Sequence, residues 1–263
     1  MKKNWKALVA IAAVMIIVAV AVVLINLRPS DQAVQPEPSA DNGMVAGKFG
    51  FPVSKINIEE GGTKTADDGR TPIGYNGTCD SAAQAAANYT PALFNVNAKT
   101  WEAQKATLNS LAIPGSWTKD ATLLGDTWAD AAAKGNLSSF DGGWLDEVNV
   151  SAGGLYRMVS CEPKKSALVQ VVYGGRRVGD TLPGGYFGTA SVELTWKDDW
   201  KISNTLTRID DTEFKQRLKD EGPAGGVGGT PTGNMPRLDD SLVARYFEDL
   251  SKEGWVEYAN ATR

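Results

Sequence analysis

The sequence predicts an α+β protein with a membrane-spanning start: one transmembrane helix, then helices packed on an antiparallel sheet. Three observations predict it. Ala7 to Ile25 runs nineteen residues without a charge, and three segments between Ser81 and Lys134 repeat apolar residues at helical spacing. After Gly135 the repeat changes to the alternation of strands.

The apolar run would cover about 28 Å as a helix, close to the hydrocarbon thickness of a bilayer. Lys2, Lys3 and Lys6 precede it and only Arg28 follows closely. The positive-inside bias therefore predicts residues 1–6 in the cytoplasm, a spanning helix over 7–27 and everything later outside. A cleaved signal peptide is the rival, but its apolar core should be shorter and end at a small-x-small site, which Asn26-Leu27-Arg28-Pro29 does not supply. Residues 28–43, with Gln35-Pro36-Glu37-Pro38-Ser39, read as a Pro-rich tether. Residues 44–78 form an irregular lead-in that carries Phe49, Phe51, Val53, Ile56 and Ile58 without a clean period.

The main domain is expected over 79–221. Ser81 and Gln84 have capping-box spacing ahead of an alanine-rich helix that Pro91 should kink or end. A second helix is expected from Trp101 to Ala112, stopped before Pro114-Gly115. A third runs over 119–134, with Leu124, Trp128 and Ala132 on one stripe. Strands follow at Trp144–Val150, Leu155–Cys161, Ala167–Tyr173 and Tyr186–Trp196. Lys197-Asp198-Asp199 then turns the chain into Trp200-Lys201-Ile202. Thr212 to Glu221 reads as a short helix, and 222–236 as a Gly/Pro-rich linker. In 237–263 an amphipathic helix spans Asp240 to Lys252, and Trp255 to Tyr258 reads as an edge strand. The helix face Leu242, Tyr246, Phe247 and Leu250 is a candidate partner-contact surface, docking either on its own domain or on another subunit.

Composition narrows the function. The chain holds 27 basic against 31 acidic residues, and four of the basic ones lie in the first 28, so the remainder is acidic and poorly suited to nucleic acid. Histidine is absent, which removes the commonest general base and zinc ligand. Cys79 and Cys161 are expected to form a disulfide in an oxidising compartment, the alternative being two buried thiols.

Three sets of residues carry a resemblance: Thr71-Pro72-Ile73-Gly74-Tyr75 leading into Ala82 to Tyr89, Val192-Glu193-Leu194-Thr195-Trp196 with Lys197 to Lys201, and Gly254-Trp255-Val256-Glu257-Tyr258. The order of the elements, helices and then a long antiparallel sheet, resembles the nuclear transport factor 2-like fold, in which a helix packs into the concave face of a curved, cone-shaped sheet. Combined with a membrane helix and a tether, the chain resembles bitopic assembly factors of type IV secretion and conjugation machines. It also resembles membrane-anchored proteins of actinobacterial mobile elements, and the three sets of residues are the specific likeness to these. The resemblance implies an extracytoplasmic scaffold or assembly component with envelope-complex proteins, the membrane and further copies of itself as partners. The alternative it implies is an anchored lipid- or small-ligand-binding accessory module of a transport system.

Enzymes of that fold work inside the cone, and Tyr89, Tyr156, Tyr173 and Tyr186 with Glu162 or Glu193 are the residues that could supply acid/base groups. Glu193, however, alternates with the apolar face and Glu162 sits at a strand end, so no catalytic residue is expected. Asp67-Asp68, Asp198-Asp199, Asp210-Asp211 and Asp239-Asp240 all fall at turns or helix starts, where aspartate is favoured locally, so no metal is expected. Gly225 to Gly229 lacks both a preceding strand and a Gly-Lys-Ser/Thr ending, and no cofactor is expected.

Overall fold

A long two-stranded ribbon organises the protein. The computed structural model describes residues 45–97, 101–115, 126, 129–130, 133–134, 145–178, 184–205, 212–226 and 234–262, all within the unit Pro38–Arg263. In chain order the described elements are β1 (Val45–Ala46), β2 (Pro52–Val53), β3 (Lys64–Thr65), β4 (Pro72–Ile73), α1 (Cys79–Phe94), β5 (Val96–Asn97) and α2 (Trp101–Leu111). There follow β6 (Leu145–Asn149), α3 (Val150–Gly153), β7 (Leu155–Glu162), β8 (Ser166–Val178), β9 (Gly184–Trp196), β10 (Trp200–Thr205), α4 (Thr212–Gln216), β11 (Gly225–Gly226), α5 (Asp240–Tyr246) and β12 (Trp255–Glu257).

β8 and β9 pair antiparallel from Ser166↔Thr195 to Arg177↔Gly184. The other side of β8 is shared by β7 and then β6, while β9 carries β10 and β11 on its far side. β12 lies between β7 and β2, antiparallel to the first and parallel to the second. The expected edge strand is therefore an interior one. β3 and β4 form a separate hairpin.

This sheet is open and mixed, which corrects the expected nuclear transport factor 2-like cone. The physical reason is that successive residues are apolar on both faces. Ala167, Val169, Val171 and Tyr173 of β8 pack with the alanines of α1, whereas Val172 packs with Leu155, Phe187 and Trp255 under α5. Leu168 packs with Phe214 and Leu218 under α4. A sheet covered on both sides gains nothing by curling around one helix.

The cap of α1 lies three residues before the expected one, Ser81. Thr78 is the cap: its Oγ1 accepts the Ser81 N–H at 3.2 Å, and Asp80 supplies negative charge to the first turn. Pro91 falls in the last turn, and the helix ends at Phe94 with the Asn95 N–H bonded to the Pro91 carbonyl. α3 approaches β8 so closely that a Cβ on Gly153 would sit 2.3 Å from the Val172 carbonyl oxygen, so only glycine fits there.

α5 stops at Tyr246, shorter than its apolar pattern suggests. Its face packs on this chain's own sheet: Phe247 lies 5.1 Å from Phe51 and 6.0 Å from Trp255, Tyr246 lies 5.6 Å from Phe187, and Leu242 and Leu250 border the same cluster.

The expected start 1–6, spanning helix 7–27 and tether 28–43 lie outside the described residues, as do most of the helix expected over 119–134 and the centre of the linker 222–236. Among the described residues no helix is long and apolar enough to cross a membrane. The described residues give no support to the expected single-pass membrane protein, with the membrane as partner and its domain outside the cytoplasm. With it and the cone go the resemblance to secretion and mobile-element membrane proteins, the envelope scaffold and the anchored lipid-binding alternative.

Cys79 and Cys161 are joined, with Cα atoms 5.9 Å apart and 82 positions between them in sequence. Replacing both by serine is expected to lower stability by about 3 kcal/mol, because the open chain gains entropy on unfolding. A urea transition shifted to a lower midpoint would show it.

Candidate recognition face at the disulfide end

Four loops meet where β7 turns into β8 and β9 into β10. In the first turn Lys165 N–H bonds to the Glu162 carbonyl, and Lys164 adopts a left-handed backbone (φ 54°). In the second, Asp198 does the same (φ 61°), and Lys197 N–H bonds to the Asp199 carbonyl. The Trp196 N–H donates to the Lys165 carbonyl at 2.9 Å and ties the two turns together. The loop before α1 joins them through Lys164 N–H to the Gly77 carbonyl, 2.8 Å. Gly77 has φ +80°, and a Cβ there would lie 3.1 Å from the Trp196 ring, so this close seat requires glycine.

The fourth loop is the β3–β4 hairpin. Asp68 closes it by accepting the N–H groups of Arg70 and Thr71 and the Thr71 hydroxyl. Burial alone would raise the Asp68 carboxyl; those hydrogen bonds outweigh it and hold the group below its ordinary value.

Asp199 locks the hairpin to the sheet. It is buried, and its Oδ2 accepts the Gly74 N–H at 2.8 Å while Oδ1 accepts the Tyr75 and Trp200 N–H groups, each at 2.9 Å. One carboxylate thus fixes two segments 125 positions apart. Asp199→Asn places an amide donor against a backbone donor and is expected to cost about 2 kcal/mol, read from the urea midpoint.

Asn88 of α1 performs a similar task. Its Oδ1 accepts the Glu59 N–H, and its Nδ2 donates to the Glu60 carbonyl and the Tyr75 hydroxyl. Tyr89 donates to the Trp200 carbonyl, and Trp200 Nε1 donates to Ser81 Oγ, each at 2.9 Å. The outer edge of β10 is further occupied by Ile113, whose N–H bonds to the Ile202 carbonyl. Edge groups so occupied offer no template for another strand.

What stays exposed are the loop tips: Glu59, Glu60, Lys64, Asp67, Arg70, Glu162, Lys164, Lys165, Lys197 and Asp198. Both signs are interspersed.

The candidate acid/base groups are not brought together. Glu162 stands at a tip beside Lys165 at 2.7 Å, and Glu193 pairs with Arg217. Burial raises the Tyr89 hydroxyl far above its ordinary range, with the Asp199 charge adding to the effect, and burial pushes Tyr156 up to about 12. Tyr173 stacks on Phe94 and meets Tyr186 edge-on. Among the described residues no group of three or more metal-ligating side chains is assembled. Asp67 and Asp68 sit in a turn, Asp198 and Asp199 in another, and Asp239 caps α5; Asp210 and Asp211 lie outside the described residues.

Sequence reasoning missed a second polar cluster, on the opposite face. Arg157 is 4 % exposed and donates Nη1 and Nη2 to the two carboxylate oxygens of Asp220 (2.9 and 2.7 Å) and Nε to Gln170 Oε1 (2.8 Å). Its guanidinium lies 4.6 Å from the Trp255 ring centre, and Gln170 Nε2 reaches the Asp220 carbonyl. The available signal was Arg157 itself, in register with Leu155 and Val159 on an otherwise apolar face. This cluster pins the segment after α4 to the sheet.

Comparison with protein families, with curated proteins and with solved structures gives no match for this chain.

Proposed function

We propose that the domain is a recognition module that binds a protein partner through the loop face at the disulfide end and turns over no substrate. The observation that carries this reading is the Asp199 clamp: a buried carboxylate holds the β3–β4 hairpin and the β9–β10 turn in one arrangement, with their charged tips outward. Loops fixed on a rigid scaffold lose little entropy on binding, which is the physical advantage of such a surface. The interspersed signs suit a protein surface better than a phosphate backbone. The polar groups with chemistry to offer, Asp199, Tyr89, Arg157 and Asp220, are engaged in holding the fold.

The test is position-resolved photocrosslinking of the full chain in its native host. A photoreactive residue at Asp67, Lys164 or Lys197 is expected to capture one discrete partner, and one at Ala244 or Glu248, exposed on and just after α5, is expected to capture none. Capture from α5 alone, or equally from both sets, would overturn the assignment of the face.

A further inference from the structure

We propose that the Cys79–Cys161 bridge is a redox control on this face: an external dithiol opens it without unfolding the domain, and Cys79 departs as the thiolate. The consequence for binding rests on the recognition reading above; the reduction chemistry stands separately.

Three observations lead here. First, both cysteines are only half-buried, and the residues beside them, Asn76, Thr78 and Glu162 to Lys165, are exposed. Second, the two sulfurs differ in surroundings. Cys79 is the first residue of a sixteen-residue helix, where free backbone N–H groups and the positive end of the dipole favour an anion. Lys164, packed at Gly77, adds to this; the exposed Asp80 and Glu162 oppose it. Cys161 lies near the end of β7, opposite Ala167, and has no helix terminus behind it. The sulfur with the better-stabilised thiolate is the better leaving group.

Third, the bridge is not alone in holding its two ends. α1 stays docked through Trp200 Nε1 to Ser81 Oγ and the Tyr258 hydroxyl to the Ala83 carbonyl, while β7 stays paired along β8. Only the short segments flanking the cysteines, residues 76–79 and 162–165, lose a covalent tie. These are two of the four recognition loops.

The chemistry balances with a dithiol as reductant. Its thiolate attacks Cys161 Sγ, the Sγ–Sγ bond breaks, and its electron pair leaves on Cys79. The second thiol of the reductant, as thiolate, then displaces Cys161 and closes the reductant's own disulfide. Two electrons pass to the protein, and both cysteines end as thiol or thiolate according to pH.

The experiment treats the oxidised full chain with dithiothreitol in the absence of denaturant, stops samples by alkylation and follows backbone hydrogen exchange in parallel. Reduction is expected at least about tenfold faster than global opening as read on β8 amides, with exchange rising at 76–79 and 162–165 and not in β8. With glutathione in place of the dithiol, the mixed disulfide is expected on Cys161 by roughly ten to one. Reduction that only keeps pace with global opening, or an adduct mainly on Cys79, overturns the proposal. Fast local reduction with unchanged crosslinking from Lys164 overturns the control of binding. No crosslinking in either redox state overturns the recognition reading instead, so the two failures are told apart.

Discussion

Trp200→Ala is expected to lower the unfolding free energy by about 4 kcal/mol, within the range for deleting a large buried aromatic. The residue is fully buried, meets Trp196 edge-on at 5.3 Å and stands where α1, β10 and the loop face join. Its removal opens a cavity and also takes the indole donor from Ser81 Oγ. The backbone N–H to Asp199 and the carbonyl that accepts from Tyr89 survive the substitution but lose the packing that aligns them. Trp200→Phe should recover about half of the loss, since it restores ring volume without the N–H. Urea unfolding of the three proteins checks both figures; a loss under about 1 kcal/mol for the alanine variant would contradict this account of the core.

Asp220→Ala should cost about 3 kcal/mol by leaving the Arg157 guanidinium buried without its carboxylate. Gln170 can still accept from Arg157 but carries no charge to match it. The same pair predicts a pH dependence. Burial pulls the Asp220 carboxyl upward, but hydrogen bonds and charge from Arg157, the Gly222 N–H and the Lys219 charge overrule it, and the folded-state value is depressed. A depressed carboxylate stabilises the fold fully above its unfolded value of about 4 and loses that contribution as pH falls through the folded value. Wild-type stability should therefore drop between pH 5 and pH 2 by more than that of Asp220→Asn, which has no proton to take up there. Parallel acid-induced curves for the two proteins would contradict the latch.

Much of the secondary structure was legible because it rests on period. The change from helical spacing to alternation after Gly135 marks where β6 to β10 begin, and the alanines after Ser81 identify the face of α1. Strand length was less legible. The strands expected to stop at Tyr173 and to start at Tyr186 run on as β8 and β9 through Gly174, Gly175, Gly184 and Gly185, and at Gly175 the Tyr186 ring fills the space a side chain would take. Sheet shape was not legible at all. The short segments that carried the resemblance, such as Val192 to Trp196 with Trp200, are core and turn signatures that an open sheet uses equally well. What decides between the two is whether the second face is covered, and that depends on α4 and α5 returning from far along the chain. The site was hidden for a related reason. Asp198 and Asp199 look alike in sequence, but the turn points one outward and buries the other, and only the fold shows that Gly74 and Tyr75 wait there.

Hydrogen exchange at the Gly74 and Tyr75 amides reads the pre-organisation of the loop face itself. If the Asp199 carboxylate holds the loop face in one arrangement, these two amides exchange as slowly as those of β8, and Asp199→Asn speeds both by at least about tenfold while β8 stays protected. If they exchange at the rate of an open loop in the wild-type protein, the face is not pre-organised, and the recognition surface built on it is wrong.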